Sequence, residues 1–525
     1  MRRPLQLIVA AGMIGALLGG CGAPAKKAAP AKAPALRIAL VGAPATIDPL
    51  RLQDASGTAV DELIYDGLVR VSPNLQPQAD LAQSWRVSGG GRTYTFRLNP
   101  HARWQDGKPV TPQDVVFSFG AYRSPANGSL AAGLLADVAS VRADGKHAVR
   151  IALLRPDASF LLDACTLPIL PRHLLSQYAF GKALLAAPAL GPGAIGTGPF
   201  RLASVAPGQY VLTRNRRYFL GAPRIEKITI SIEPTAAAAL TLVRAGKMDF
   251  AQVPPVDAQA VSTWPRVQLV KTFQLAFAGI VWNLQQAPWN DPRLRRALYF
   301  AINRSEIVSG PLYGYAQVAN GPLPPVSPAY DKTLAARGFE PQRALSLLAA
   351  AGWHRSGSVL RNARGKPLSL EILASSGAPD RTAVLGLVAR DLSAIGIAVG
   401  VRYEPFAVYT REFAGGNFQA AFAARGLSAD PNLSAYFIPG SPENAGAYSD
   451  AAVTADLQAE LSAANAAQRI AALHGVQSAM QVDPPELFLY FPQSIYAISS
   501  RFGGFHPNSA SVFYGAQNWT AGGAR

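Results

Sequence analysis

The chain has 525 residues, 49% hydrophobic and 15% charged, and single cores stop growing at about 250–300 residues, so at least two lobes are expected. The formal net charge is +17, but the basic residues are scattered, apart from "RNRRYF" and "RLRRAL", which argues against nucleic acid as a partner. Only two cysteines are present, Cys21 and Cys165, which excludes a disulfide framework.

Arg2 and Arg3 precede an apolar run from Leu5 to Gly20, shorter than the roughly 20 residues that span a bilayer. A basic start, a short apolar core and small residues at its end describe a secretory signal peptide over residues 1–20. Leu18-Gly19-Gly20-Cys21 also resembles the bacterial lipobox, in which a peptidase cuts before a cysteine that carries lipid, so Cys21 is the expected attachment point. Residues 22–35 repeat Ala-Pro and Ala-Lys without an aromatic or β-branched side chain. Such a stretch cannot bury enough surface to fold, and Lys26, Lys27 and Lys32 favour an anionic membrane surface. The folded part is expected outside the cytoplasm, on a lipid tether. No later segment is long and apolar enough to cross a membrane.

"RTYTFRLNP" alternates Tyr94, Phe96 and Leu98 with Thr93, Thr95 and Arg97, the pattern of a half-buried strand. "TPQDVVFSFGAY" starts a helix: Thr111 is the N-cap, Pro112 the first helical residue, and Asp114 stands three residues after the cap. Cys165, in "SFLLDACTLPIL", reads as a buried thiol. "KITISIEP" predicts another strand, with Ile228, Ile230 and Ile232 on one face. "NDPRLRRALYFAINRSEIV" predicts the clearest helix, capped by Asp291. Its apolar stripe is Leu294, Ala297, Leu298, Ala301 and Ile302, with Arg293, Arg295 and Arg296 off it. A helix closing near Gly396, one or two helices within "ADLQAELSAANAAQRIAALHGVQSAMQVD", and a strand in "PELFLYFPQSIYAIS" follow. Helices and strands alternate, so the class is α/β or α+β.

Catalytic signatures are missing. The six histidines stand at 101, 147, 173, 354, 474 and 506, too far apart for a helical zinc pair. There is no G-x-S-x-G elbow. "GPGAIG", Gly191 to Gly196, fits a dinucleotide fingerprint by letter, but Pro199 follows where a helix would have to start. It reads as a glycine-rich turn.

Several stretches together resemble one family, the extracytoplasmic solute-binding proteins of the dipeptide/oligopeptide/nickel type. They are "ATIDPL" with "ELIYDGLV"; "LAQSWRVSGGGRTYTFRLNPHARWQDGKPVTPQDVVFSF"; "GTGPFRL" with "LTRNRRYFLGAPRIEKITI"; and "VWNLQQAPWNDPRLRRALYFAINRSEIV". The resemblance implies an α/β, two-lobe periplasmic-binding-protein-like fold of the cluster C type. The first lobe would comprise 36–68, 186–275 and 497–525, an inserted subdomain 69–185, and the second lobe 276–496. It further implies a binding protein rather than an enzyme, expected to be monomeric and without cofactor or metal. Lobes closing on a small peptide or similar polar solute would deliver it to an ABC permease with its ATPase. An anionic or sugar/opine-like solute is the alternative, an exported hydrolase a more distant one.

The family segment Trp-x-x-Asp-x-x-Asp-Pro, whose first aspartate holds a peptide's amino terminus, corresponds here to "AARGLSADPN". Asp430-Pro431 matches its end. The tryptophan position holds Ala424 or Arg425, and the amine-binding position Leu427 or Ser428. By family position the remaining ligand candidates are Gln53, Asp54, Phe406 and Tyr490, beside Arg425, Ser428 and Asp430.

Overall fold

The computed structural model describes residues 35–51, 54–463 and 465–522. The signal segment, Cys21 and Gln53 lie outside the described residues. One strand, Glu486–Ser499, organises the rest. Its first part pairs with Ala276–Trp282 and Ala316–Val318, and its last part with Val267–Phe273 and Phe250–Val253. Partners change between Pro492 and Gln493. The chain makes its other passage between the same two halves at 273–276, and the Gln274 N–H donates to the Pro492 carbonyl at 2.9 Å. The two crossings thus lie side by side.

Each half extends this strand into a mixed sheet. On one side come Phe250–Val253, Ala35–Val41, Lys227–Glu233, Gln209–Arg214 and Phe200–Ala206. On the other come Ala276–Trp282, Ala420–Gly426, Ser369–Ser375 and Ala398–Glu404. Ala35–Val41 runs parallel to Lys227–Glu233, and Ser369–Ser375 parallel to Ala398–Glu404. Parallel pairs need covered faces, which the intervening helices supply. Leu36, Ile38, Ile228, Ile230 and Phe250 fill the first core; Trp282, Trp289, Leu294, Leu298 and Ile372 belong to the second.

A four-stranded antiparallel sheet, ordered Ala82–Ser88, Thr93–Leu98, Ala148–Leu153 and Val138–Ala143, has its own core around Phe96, Trp104, Phe119, Tyr122 and Cys165. Tyr94, Phe96 and Leu98 are buried there, as their alternation requires. The helix Pro112–Arg123 opens as expected: the Asp114 carboxylate accepts from the Thr111 N–H at 2.8 Å and its hydroxyl at 2.7 Å.

One expectation needs correction. The segment from Asp291 forms two helices, Pro292–Ala301 and Arg304–Ser309, because Asn303 offers the backbone local alternatives. Its side chain accepts from the Glu306 N–H at 3.1 Å while its own N–H donates to Asp391 at 2.9 Å. Arg295, off the apolar stripe, is nevertheless buried at 1% exposure. Its Nε donates to the Pro484 carbonyl at 2.8 Å, and Asp483 pairs with its guanidinium. The helix is covered on more than one face, and periodicity marks only the apolar one. Downstream, the alanine-rich stretch forms two helices, Ala451–Leu461 and Ala466–Val482.

The glycine-rich segment is a clamp, with no helix following it. The Gly196 carbonyl accepts from the Gln105 N–H at 3.0 Å, and a Cβ on Gly196 would lie 1.9 Å from the Ile64 carbonyl oxygen. Glycine is needed there for close backbone approach. Gly196→Ala should therefore lower stability by about 3 kcal/mol. Gly386, inside the helix Pro379–Ala394, should behave oppositely, since a methyl group there would have nothing within 4 Å of it. Gly386→Ala is expected to add about 0.5–1 kcal/mol. Thermal and denaturant unfolding of both variants measures the contrast.

Candidate functional site

A cavity of about 420 Å³ opens where the two halves meet at the crossings. The first half supplies Val41 and the Gln252–Pro255 stretch, the crossings supply Gln274 and Gln493, and the second half supplies Ala378, Asp380, Arg381, Phe422, Ala424 and Tyr490. Alternation along the strands selects the floor. Ala278 stands opposite both Ala424 and Tyr490 in the pairing, so these three share a face. A bulge in the pairing between Ala278 and Gly279 lets Glu486 and Phe488 fall on the other face.

The polar equipment comes from separate segments. Gln252, Gln274 and Gln493 bring three side-chain amides, and the Gln493 Oε1 is buried without a partner. Arg381 sits in the first turn of the helix Pro379–Ala394, after a tight turn in which Gly377 adopts φ +91°. One guanidinium nitrogen donates to the Ser375 carbonyl at 2.6 Å, and the group lies 5.8 Å from the Phe422 ring centroid. Asp380 is beside it. Burial pushes the Tyr490 phenol above its usual range, with Asp380 adding to the rise and Arg381 opposing it. Amides, one cation and one carboxylate over an aromatic floor suit the recognition of polar backbone groups and a carboxylate.

Among the described candidates taken from the sequence, Tyr490 lines this cavity and the others stand elsewhere. Asp54 caps the helix Ala55–Ile64, accepting from the Gly57 N–H at 2.7 Å and the Ala45 N–H at 2.9 Å. Phe406 begins the helix Phe406–Ala414 and is 72% exposed. Arg425, next to Ala424 in the strand, points to the opposite face. Its Nε lies 2.6 Å from the buried Glu486 carboxylate, and its guanidinium is 4.7 Å from the Tyr436 ring centroid. The Ser428 hydroxyl donates to the Asp430 carbonyl at 2.9 Å. Asp430 is fully buried, with both carboxylate oxygens accepting from Arg469. Arg381 and the three glutamines have no counterpart among the residues expected from the sequence. Only Gly377 before Pro379 hints at a turn there, and nothing local marks a turn as facing a cleft.

Asp430 instead belongs to a contact between the four-stranded unit and the second half. Arg469 also donates to Glu460 at 2.6 Å and to the Ala158 carbonyl at 3.3 Å, and the Ala158 N–H donates to the Leu461 carbonyl at 3.2 Å. Asp163 lies across the same seam beside Ser428, with the Asp430 and Asp157 carboxylates acting on it. Burial, with Asp430 adding to it, raises the Asp163 carboxyl to about 7. Burial likewise carries Glu460 to about 6 against the opposing pull of Arg469. Arg469 thus pairs with two carboxyl groups, Asp430 and Glu460, while among the described residues Asp163 has no cation against it.

Comparison with known proteins fits this architecture. The family model described as "Bacterial extracellular solute-binding proteins, family 5 Middle" matches residues 76–446. The oligopeptide-binding protein AppA of Bacillus subtilis is 26% identical over 507 residues, covering 94% of this chain and 93% of its own. A putative ABC transporter peptide-binding protein of Brucella ovis is 30% identical over 444 residues, 81% of each chain. The structure of Bacillus subtilis AppA in complex with a nonapeptide superposes with a TM-score of 0.75 at 25% identity, covering 94% of this chain and 99% of that one. That family consists of substrate-binding proteins that work outside the cytoplasm, and among the described residues no helix is long and apolar enough to cross a membrane. With the family model spanning most of the folded chain and the two-half architecture shared, this protein belongs to family 5 of the bacterial extracellular solute-binding proteins.

Proposed function

We propose that this protein captures peptides, or a closely related small polar solute, and delivers them to an ABC import permease with its ATPase. The cavity at the crossings carries the reading: amides from three segments and Arg381 converge where both halves meet, in a chain similar along most of its length to an oligopeptide-binding protein. The protein acts by binding, without chemistry on the ligand, and as a monomer. Residues 36–68, 186–275 and 493–525 form the first lobe, 69–185 ride on it, and 276–492 form the second, since residues 493–496 pair with first-half strands, with the hinge at 273–276 and 492–493. A ligand touching both lobes stabilises the closed population in proportion to its preference for it. Cleavage after residue 20 and lipid on Cys21 keep the protein beside its permease.

The ligand's carboxylate end is assigned to Arg381. Its amino end lacks the family's aspartate, since Leu427 or Ser428 stands there and Asp430 is committed to Arg469. That observation favours a second reading, a solute with no free ammonium. Calorimetry on a peptide selected from a short-peptide pool, compared with its N-acetylated and C-amidated forms, tests both. Acetylation should change affinity less than about threefold, whereas amidation and Arg381→Ala should each cost about 1.5–3 kcal/mol, without adding. A large loss on acetylation with none on amidation would reverse the assigned orientation.

For the anchor, Cys21→Ser should move the protein from the membrane fraction to the soluble one and abolish metabolic lipid labelling. Unlabelled wild-type protein would refute the lipid anchor.

The seam at Arg469 makes closure pH-dependent if the four-stranded unit parts from the second lobe on opening. Asp430, Glu460 and Arg469 stay together in one lobe, so the changing environment is that of Asp163, with Asp157 beside it. Apart, Asp163 titrates near the usual value of about 4; joined, it titrates at about 7. Its ionisation opposes the joined form, so affinity is full below the lower value, falls as pH rises through the higher one, and is level above it. The wild-type dissociation constant should rise between about pH 4 and pH 7 and level off above, and Asp163→Asn should flatten the profile. Equal slopes in the two proteins would sink the coupling.

A further inference from the structure

A second cavity, of about 360 Å³, shares no lining residue with the one at the crossings and lies between the helix Ala55–Ile64, the start of the four-stranded unit and the C-terminal loop around Tyr514. Asp61, Glu62, Asp66 and Asp80 line it, against Arg70 as the one cation. In a chain of net charge +17 this concentration of acid runs against the general balance.

Two of these acids are engaged by the fold. Asp66 accepts from the Thr197 hydroxyl at 2.8 Å and the Tyr218 hydroxyl at 2.9 Å, and Glu62 accepts from the Ser511 hydroxyl at 2.8 Å. The other two differ. Asp61 and Asp80 are 3% and 5% exposed, and each leaves its Oδ1 without a hydrogen-bond partner. A buried carboxylate oxygen left unpaired is costly. Arg70 acts on Asp80 by its charge but gives neither orphan oxygen a hydrogen bond: its guanidinium lies over the Tyr514 ring, 5.6 Å from the centroid, with Nε unpartnered. Asp61 interacts chiefly with Glu62 and Asp48, whereas Asp80 interacts with Asp66 and Arg70. The two orphan oxygens therefore belong to separate acidic groups on one cavity. Among the described residues no three His, Cys, Asp or Glu side chains converge as a metal ion requires.

We infer that this cavity binds an organic dication, a diamine or polyamine, with one ammonium at Asp61 and another at Asp80, its methylene chain lying along the aromatic wall of Tyr65, Tyr218 and Tyr514. Ammonium groups donate three hydrogen bonds each and supply the charge that Arg70 alone does not balance. Tyrosine faces accommodate both the cation and the apolar chain. Occupancy would tie the four-stranded unit to the first half of the molecule at a place separate from the solute cleft. Burial holds Glu62 near 7 and Asp66 near 6 and raises Asp61 and Asp80 well above the usual carboxylate range, so an arriving dication displaces protons.

Calorimetry of the purified full-length protein at low ionic strength, with putrescine and spermidine as probes, tests the inference. Saturable one-to-one binding is expected, with heats that vary with buffer ionisation enthalpy in the sense of proton release near pH 6. Asp61→Asn and Asp80→Asn should each weaken binding at least tenfold, and Arg381→Ala in the other cavity should leave it unchanged. Arg70→Met removes the competing cation and should tighten binding several-fold, a gain that a misfolded variant would not mimic. Heats without saturation, no proton release, or tightness unaltered in Arg70→Met and both Asn variants would overturn the site. Loss of binding in Arg381→Ala alone would transfer it to the solute cleft.

Discussion

The fold depends on one strand that belongs to two sheets. Glu486–Ser499 hydrogen-bonds to second-half strands through its first residues and to first-half strands through its last. A strand has a donor and an acceptor at every residue, so changing partners midway leaves no group unmet as long as both neighbours are in register. The place of change, Pro492 to Gln493, is also where proline withholds a donor. Ladder bonds thus hold each half up to the crossing, and the two halves are joined there through a few residues. The cavity lies against that place, lined from both halves.

Buried arginines form a second layer of organisation. Arg295 ties its helix to the loop before the shared strand through Pro484, and Arg304 reaches the Phe488 carbonyl at 3.1 Å within that strand. Arg425 meets Glu486 at the strand's first residue. Each spends its donors on backbone carbonyls or an acid, the condition under which a buried guanidinium is tolerated. Removing one partner strands the other, so such pairs fix relative placement more than they add net stability. With Arg425 paired behind the sheet, the charged side chains lining the cavity at the crossings are Arg381 and Asp380.

The seam at Arg469 and the acidic cavity share a feature. In both, desolvation lifts carboxyl groups towards neutrality because too few cations face them. Where the four-stranded unit meets its neighbours the buried carboxyl groups outnumber the cations, whereas the cavity at the crossings is lined by amides and one ion of each sign.

What was legible in the sequence was local. Alternation marked Thr93–Leu98 and Lys227–Glu233, and Thr111-Pro112 with Asp114 marked a helix start, because these signals arise between residues a few positions apart. The ordered motifs carried the family and with it the two-lobe class. The site was only partly legible: Tyr490 reaches the cavity, while Arg425, one residue from Ala424, turns away. Which face a strand residue takes is set by register and by the bulge at Ala278/Gly279, neither of which has a local signature. Asp430 meets a partner 39 positions away and Arg295 one 188 positions away; Arg381 enters the cleft only because its helix packs beside the crossing. Short-range stereochemistry wrote the elements into the chain, and long-range packing alone decided which of their side chains line the cavity between the halves.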